Sequence, residues 1–183
     1  MQIRITTDLS SEPLTLAIMS QFLKYEDNQS DENTLINTMI SSVRILLEKR
    51  TGLTFAEKEY EIRLNSDDYP FVIPVYPIIS VDEVLTIDYQ GTESDALVLN
   101  TGYFKSGMYE IDLTVSGLIK SSTLKVTCKA GYGHNDTEDL PALLIDAMKT
   151  QVFQWYENRD DFKELNTLGI IDKAVSLFKR TFG

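Results

Sequence analysis

The chain has 183 residues, 43% of them hydrophobic, with 28 acidic and 17 basic side chains, one histidine, one cysteine and a formal net charge of −11. That length and apolar fraction suit a single globular domain burying roughly two-thirds of its unfolded surface, with no need of a metal or disulfide staple. The charge argues against a DNA-reading role, which needs Lys and Arg to displace counterions, and the lone Cys128 rules out an intramolecular disulfide.

An acidic surface does suit a protein that lets DNA pass without sticking. No run approaches the ~18 apolar residues that cross a bilayer. Met1–Asp8 is polar and lacks an apolar signal core. A cytosolic protein without membrane contact is expected where it is made, and one cysteine fits a reducing compartment.

Within one domain, 1–183, three zones are expected. The first, 10–52, is helical. Ser10 or Ser11 suits an N-cap, with Pro13 in the first turn, where its missing N–H costs little. Leu14, Ala17, Ile18 and Phe22 then share one face. A second helix is predicted from near Ser30, with Asp31 and Glu32 in its first turn. Leu35, Ile36, Met39, Ile40, Val43, Leu46 and Leu47 form its apolar stripe, read as core packing. Glu48, Lys49 and Arg50 decorate its last turn, and Gly52 stops it in a left-handed cap.

The second zone, 53–133, is β-rich. Tyr60, Ile62 and Leu64 alternate as in a strand with one buried face. Asn65–Tyr69 is a predicted turn closed by Pro70, and Phe71–Val75 a short strand that Pro74 assigns to a sheet edge. Ile78–Tyr89 is a longer strand, ended by the turn Gln90-Gly91-Thr92. Ala96–Leu99 and Tyr103–Leu113 are further strands. Leu124, Val126 and Cys128 alternate, then Gly131-Tyr132-Gly133 closes the zone.

The third zone, 136–182, is helical again. Acidic Asp136–Asp139 precedes Pro141, and Leu140, Leu144, Ala147, Met148, Gln151, Val152 and Trp155 recur at helical spacing to about Asn158. A last helix, about Ile170 to Phe182, carries Ile171, Ala174, Val175, Phe178 and Phe182 on one stripe. The fold class is therefore α+β: a small bundle of about four helices with a β-rich insertion between the second and third long helices.

The residues point away from catalysis. His134 has Asp136 and Asp139 near it in sequence, but no activated Ser or Cys accompanies it. Cys128 reads as a buried, inert thiol. One His and one Cys cannot complete a zinc quartet, and Asp67-Asp68 and Asp160-Asp161 read as solvated turns. Gly131-Tyr132-Gly133 lacks the third glycine and the Gly-Lys-Ser/Thr of phosphate loops, so its glycines are read as permitting a sharp strand-to-helix turn. No catalytic residue, cofactor or metal is expected. Trp155 is assigned to the core and Tyr156 to a boundary or partner interface.

The order of these pieces resembles the head–tail connector (head-completion or adaptor) proteins of long-tailed double-stranded DNA phages. The resemblance is carried by Leu124 to Gly133, the strand ending Ala-Gly-Tyr-Gly, and by Leu140-Pro141-Ala142-Leu143 opening a helix that closes with Trp155-Tyr156-Glu157-Asn158-Arg159. Two further segments agree, the proline-spaced Ile73 to Val81, and Pro13-Leu14-Thr15-Leu16 followed by the 31–52 helix. It spans about residues 10–182, with 90–122 matching least.

The resemblance implies a non-enzymatic protein of the virion neck, assembled in the host cytoplasm. It implies a ring of about twelve copies on the portal protein, closing the filled head and receiving a neck or tail-completion protein. DNA would pass through the channel without specific binding. Basic Lys173, Lys179 and Arg180, beside Phe178 and Phe182, suggest in addition that the last helix docks onto the portal or a neighbouring subunit. The rival readings are another neck or tail-completion protein, and an acidic DNA-mimic regulator or enzyme. A mimic needs carboxylates spaced like phosphates along one face, whereas these acids are spread over turns and helix starts.

Overall fold

The computed structural model describes residues 1–8, 11–25, 30–65, 72–97, 123–133, 139–159 and 169–179. In chain order they form β1 (Gln2–Thr7), α1 (Leu16–Leu23), α2 (Ser30–Thr51), β2 (Lys58–Asn65), β3 (Ile78–Ile87), β4 (Thr123–Ala130), α3 (Ala142–Glu157) and α4 (Gly169–Phe178). The fold is α+β, with the strands β2 to β4 inserted between α2 and α3.

The bundle closes on apolar stripes at helical spacing. Ile36, Ile40, Val43 and Leu47 of α2 are fully buried against Leu144, Ala147, Met148 and Val152 of α3 and Ile171 and Ala174 of α4. Each such Ile, Leu or Val contributes about 2 kcal/mol by leaving water. Gly52, at φ 73, ends α2 as expected, its N–H bonding Glu48 O at 2.9 Å.

The sheet is antiparallel, in the order β1-β2-β4-β3. Tyr60, Ile62 and Leu64 face inward opposite Cys128, Val126 and Leu124, so the alternation predicted for both strands holds. Val84 of β3 completes this second core. The turn after β3 also holds: Asp88 Oδ1 accepts from Gln90 N and Thr92 N, both at 2.8 Å, with Gly91 at φ 86.

One strand was not foreseen: Gln2–Thr7 pairs with β2. Three expectations are corrected. Residues 72–75 are not a strand; Pro74 interrupts them, and Ile73 and Val75 instead fold over the sheet as part of its core. Ala96 and Leu97 form no strand either, although Leu97 N bonds Val84 O at 2.7 Å. The first helix begins later than expected: Thr15 is its N-cap, accepting from Ile18 N at 3.3 Å, and Pro13 lies outside it. Its inward residue is Met19, while Ile18 and Phe22 stay 44% and 48% exposed. The turn at 66–70, the strand at Tyr103–Leu113 and the acidic run at 136–138 lie outside the described residues.

Candidate functional site

Bundle and sheet meet at a charged junction. Lys58 opens β2 on the same face as Tyr60, Ile62 and Leu64, so alternation carries a lysine into the interior, where it is 5% exposed. A buried ammonium is costly unless paired. Its Nζ donates to both Glu48 oxygens, at 3.0 and 2.9 Å. Glu48 also accepts from Phe55 N at 2.9 Å and from Arg44 Nη1, one turn back on α2, at 2.8 Å. Arg44 Nε then reaches Glu12 at 2.7 Å. Burial by itself lowers the Arg44 pKa; the hydrogen bonds and charges of Glu12 and Glu48 outweigh it and hold the guanidinium pKa above its usual value. One carboxylate thus ties α2, the 53–57 connection and β2, and through Arg44 the segment before α1.

Gly131, directly after β4, packs against the backbone of this connection at Ala56 and Glu57. At φ 143, a Cβ there would overlap the backbone carbonyl of Ala56, and Gly131 N donates to Pro77 O at 2.8 Å. The glycine therefore serves close backbone approach as well as the turn. Tyr132 stacks edge-on against Tyr76, centroids 6.5 Å apart. A cleft of about 350 Å³ lies beside this junction, lined in part by Phe55, Ala56, Tyr132 and Leu140.

Ser11, Glu57 and Asp139 also line this cleft. Among the described residues, no three His, Cys, Asp or Glu side chains are placed to hold a metal ion. Cys128 is fully buried, and burial, with a smaller effect from Asp82, pushes its thiol up to about 12. His134 lies outside the described residues. No described helix is long and apolar enough to cross a membrane.

Among the described residues, the candidate partner residues fall at two separate places. Tyr156 is half-buried, and its hydroxyl donates to Glu32 at 2.6 Å. The Arg159 guanidinium lies 4.6 Å from the Tyr156 ring centroid and bonds the same Glu32 oxygen at 2.7 Å. The hydrogen bond to Glu32, then burial, raises the Tyr156 pKa. This clamp ties the end of α3 to the start of α2. Asp172, beside Lys173, instead pairs with Arg50 at the other end of α2, at 2.7 Å. Glu32 and Arg50 are 18 residues apart on one helix, so Tyr156 and Lys173 stand roughly 27 Å apart along its axis. Lys173 and Lys179 are exposed, and Phe178 packs half-buried on the bundle. Arg180 and Phe182 lie outside the described residues.

Two exposed apolar features escaped the sequence reading. Phe22 of α1 and Phe153 of α3, 48% and 41% exposed, meet edge to face at 6.0 Å. Ile3 and Ile5 of β1 are 46% and 47% exposed. The signal for β1 was present in the alternation of Gln2-Ile3-Arg4-Ile5.

No family model and no curated protein matches the sequence. Solved structures do share the fold. A chain in the virion of a native gene transfer agent (GTA) particle and one in the neck of an empty GTA particle computed with C6 symmetry each give a TM-score of 0.76 at 17% identity. A chain in the neck of a native GTA particle computed with C12 symmetry gives 0.69 at 18%. Each alignment covers 100% of this chain and 98% of the other. At this identity the likeness shows a shared fold, extending from end to end of the chain.

Proposed function

We propose that the chain is a structural neck protein of a phage-like particle, a head–tail connector whose copies form a ring of about twelve on the portal. The ring closes the DNA-filled head and offers a platform to the next neck or tail component. One observation carries this reading: the fold matches, along its whole length, a chain from a particle neck computed with C12 symmetry. The ordered motifs of residues 10–182 support the same reading independently, because they depend on sequence and the comparison on shape.

In this reading the protein is not an enzyme. Its surface performs the function. The acidic charge of −11 lets DNA slide through the channel without binding. Lys173, Phe178 and Lys179, continuing to Arg180 and Phe182, form the segment that docks onto the portal or a neighbouring subunit, with Tyr156 at a second contact. Assembly takes place in the host cytoplasm and the finished protein resides in the virion neck. Measuring the mass of the pure protein with and without portal tests the reading: a portal complex carrying about twelve copies is expected, and failure to join the portal counts against it.

A further inference from the structure

The sheet has two edges, and they differ. On the β3 edge the chain turns back, Ser94 N bonding Thr86 O at 2.8 Å and Leu97 N bonding Val84 O at 2.7 Å, so the subunit covers this edge itself. On the other edge β1 pairs with β2 alone among the described residues. β1 contains neither proline nor lysine, the residues that commonly blunt an open edge.

The two faces of β1 are also distinct. Ile3 and Ile5 lie opposite Ile62 and Tyr60, on the apolar face of the sheet, yet the subunit leaves them 46% and 47% exposed. Arg4, opposite Glu61, points to the other face, as does Arg63 of β2, whose Nε pairs with Glu61 at 3.0 Å. A groove of about 500 Å³ is lined by Gln2, Ile3, Arg4, Glu61 and Arg63. An open edge with an apolar side and, on the other side, Arg4 on the edge strand itself is a receptor for an added strand whose residues alternate apolar and acidic.

The chain itself carries such a sequence. Tyr109-Glu110-Ile111-Asp112-Leu113-Thr114-Val115 alternates without a break, and seven extended residues span roughly 23 Å against roughly 20 Å for the six of β1. We propose that this segment of a neighbouring copy adds to β1. Its apolar residues then lie beside Ile3 and Ile5, and Glu110 or Asp112 beside Arg4, with Arg63 one strand further in. The addition links subunits around the ring, and so rests on the ring reading above. A closed ring needs a heterologous contact between two different surfaces, whereas β1 against a second β1 would be two-fold and stop at a dimer.

Disulfide trapping tests this in a Cys128→Ala background. Arg4→Cys and Asp112→Cys proteins are mixed, bound to portal-bearing heads and mildly oxidised, with rings followed by electron microscopy. Glu110→Cys serves as the second donor variant in case the register differs by two residues. A covalent dimer that needs both proteins is expected. Rings without that dimer overturn the strand addition and leave the ring reading standing, while loss of rings from the unmodified protein overturns both. A dimer from Arg4→Cys alone would mean two-fold pairing, and an intramolecular disulfide in a free Arg4→Cys/Asp112→Cys chain would mean that the subunit caps its own edge; either result overturns the proposal. Ile3→Lys with Ile5→Lys, at exposed positions, should abolish ring formation with the monomer's urea midpoint unchanged.

Discussion

Lys58, the first residue of β2, places its ammonium 3.0 and 2.9 Å from the two carboxylate oxygens of Glu48 on α2. Glu48 serves three donors here, and their dependence on it is unequal. Glu48→Ala strands the buried Lys58 and removes one of the two acids paired with Arg44, so it should cost about 3 kcal/mol or more in urea denaturation. Lys58→Met leaves Glu48 with Arg44 and Phe55 N, and should cost about 1 kcal/mol or less. Equal costs would show that the junction is not organised by the carboxylate.

The same junction predicts an order among glycines. At Gly131 an added Cβ meets the Ala56 carbonyl, while at Gly133, φ 80, it meets nothing. Gly133→Ala should therefore cost only the left-handed penalty of about 1 kcal/mol. Gly131→Ala should cost distinctly more, since backbone has to move. Chemical denaturation of the two variants checks the order.

Alkaline pH should destabilise the protein through its sheet core. Burial raises the Cys128 thiol from 9.0 to about 12 and the Tyr60 hydroxyl from 10.0 to about 12. Above pH 9 the unfolded chain loses these protons before the folded one, so it binds fewer and stability falls with rising pH. The contribution is intact below about pH 9 and is lost progressively toward pH 12. Urea midpoints across that window should decline, with a shallower slope in Cys128→Ala. A thiol reagent at pH 8 should label Cys128 only on unfolding.

The Tyr156–Glu32 bond is a smaller tie, on a partly exposed site. Tyr156→Phe should cost about 1 kcal/mol. A double-mutant cycle with Glu32→Gln should show the two effects to be coupled. Loss of particle attachment without loss of stability would instead mark the Tyr156 hydroxyl as a partner contact.

The proposed docking of the C-terminal segment onto the portal gives a functional prediction. Removing Leu177 to Gly183 takes away exposed Leu177 and Lys179 together with half-buried Phe178, leaving the buried Ile171 and Ala174 of α4 in place. The truncated protein should stay folded and lose attachment to portal-bearing heads. Unchanged attachment would sink the assignment.

What the sequence disclosed follows from how each residue is used. α2 and α3 were legible because Ile36, Ile40, Val43 and Leu47, and Leu144, Met148 and Val152, bury one face against one core. β2 and β4 were legible because their alternation has one buried side. β1 escaped because it is a short edge strand whose isoleucines remain half exposed. Residues 72–75 misled because Ile73 and Val75 alternate like a strand, although they bury by folding across the sheet. Ile18 and Phe22 misled for the reverse reason, being apolar and on a helix but outside its core. Glu48 looked like a solvated last-turn acid. Only its spatial neighbour Lys58, placed inside by the alternation of β2, reveals its role, and pairing across ten positions has no local pattern. The glycine turn was legible as a turn, whereas the approach of Ala56 that demands Gly131 was not.

Portal-bearing heads and isolated tails, each incubated with the purified protein and imaged by electron microscopy, test the connector reading most directly. The reading predicts a ring of new density at the portal vertex and none on free tails. Density on the tails with bare portal vertices would contradict it and assign the chain to tail completion.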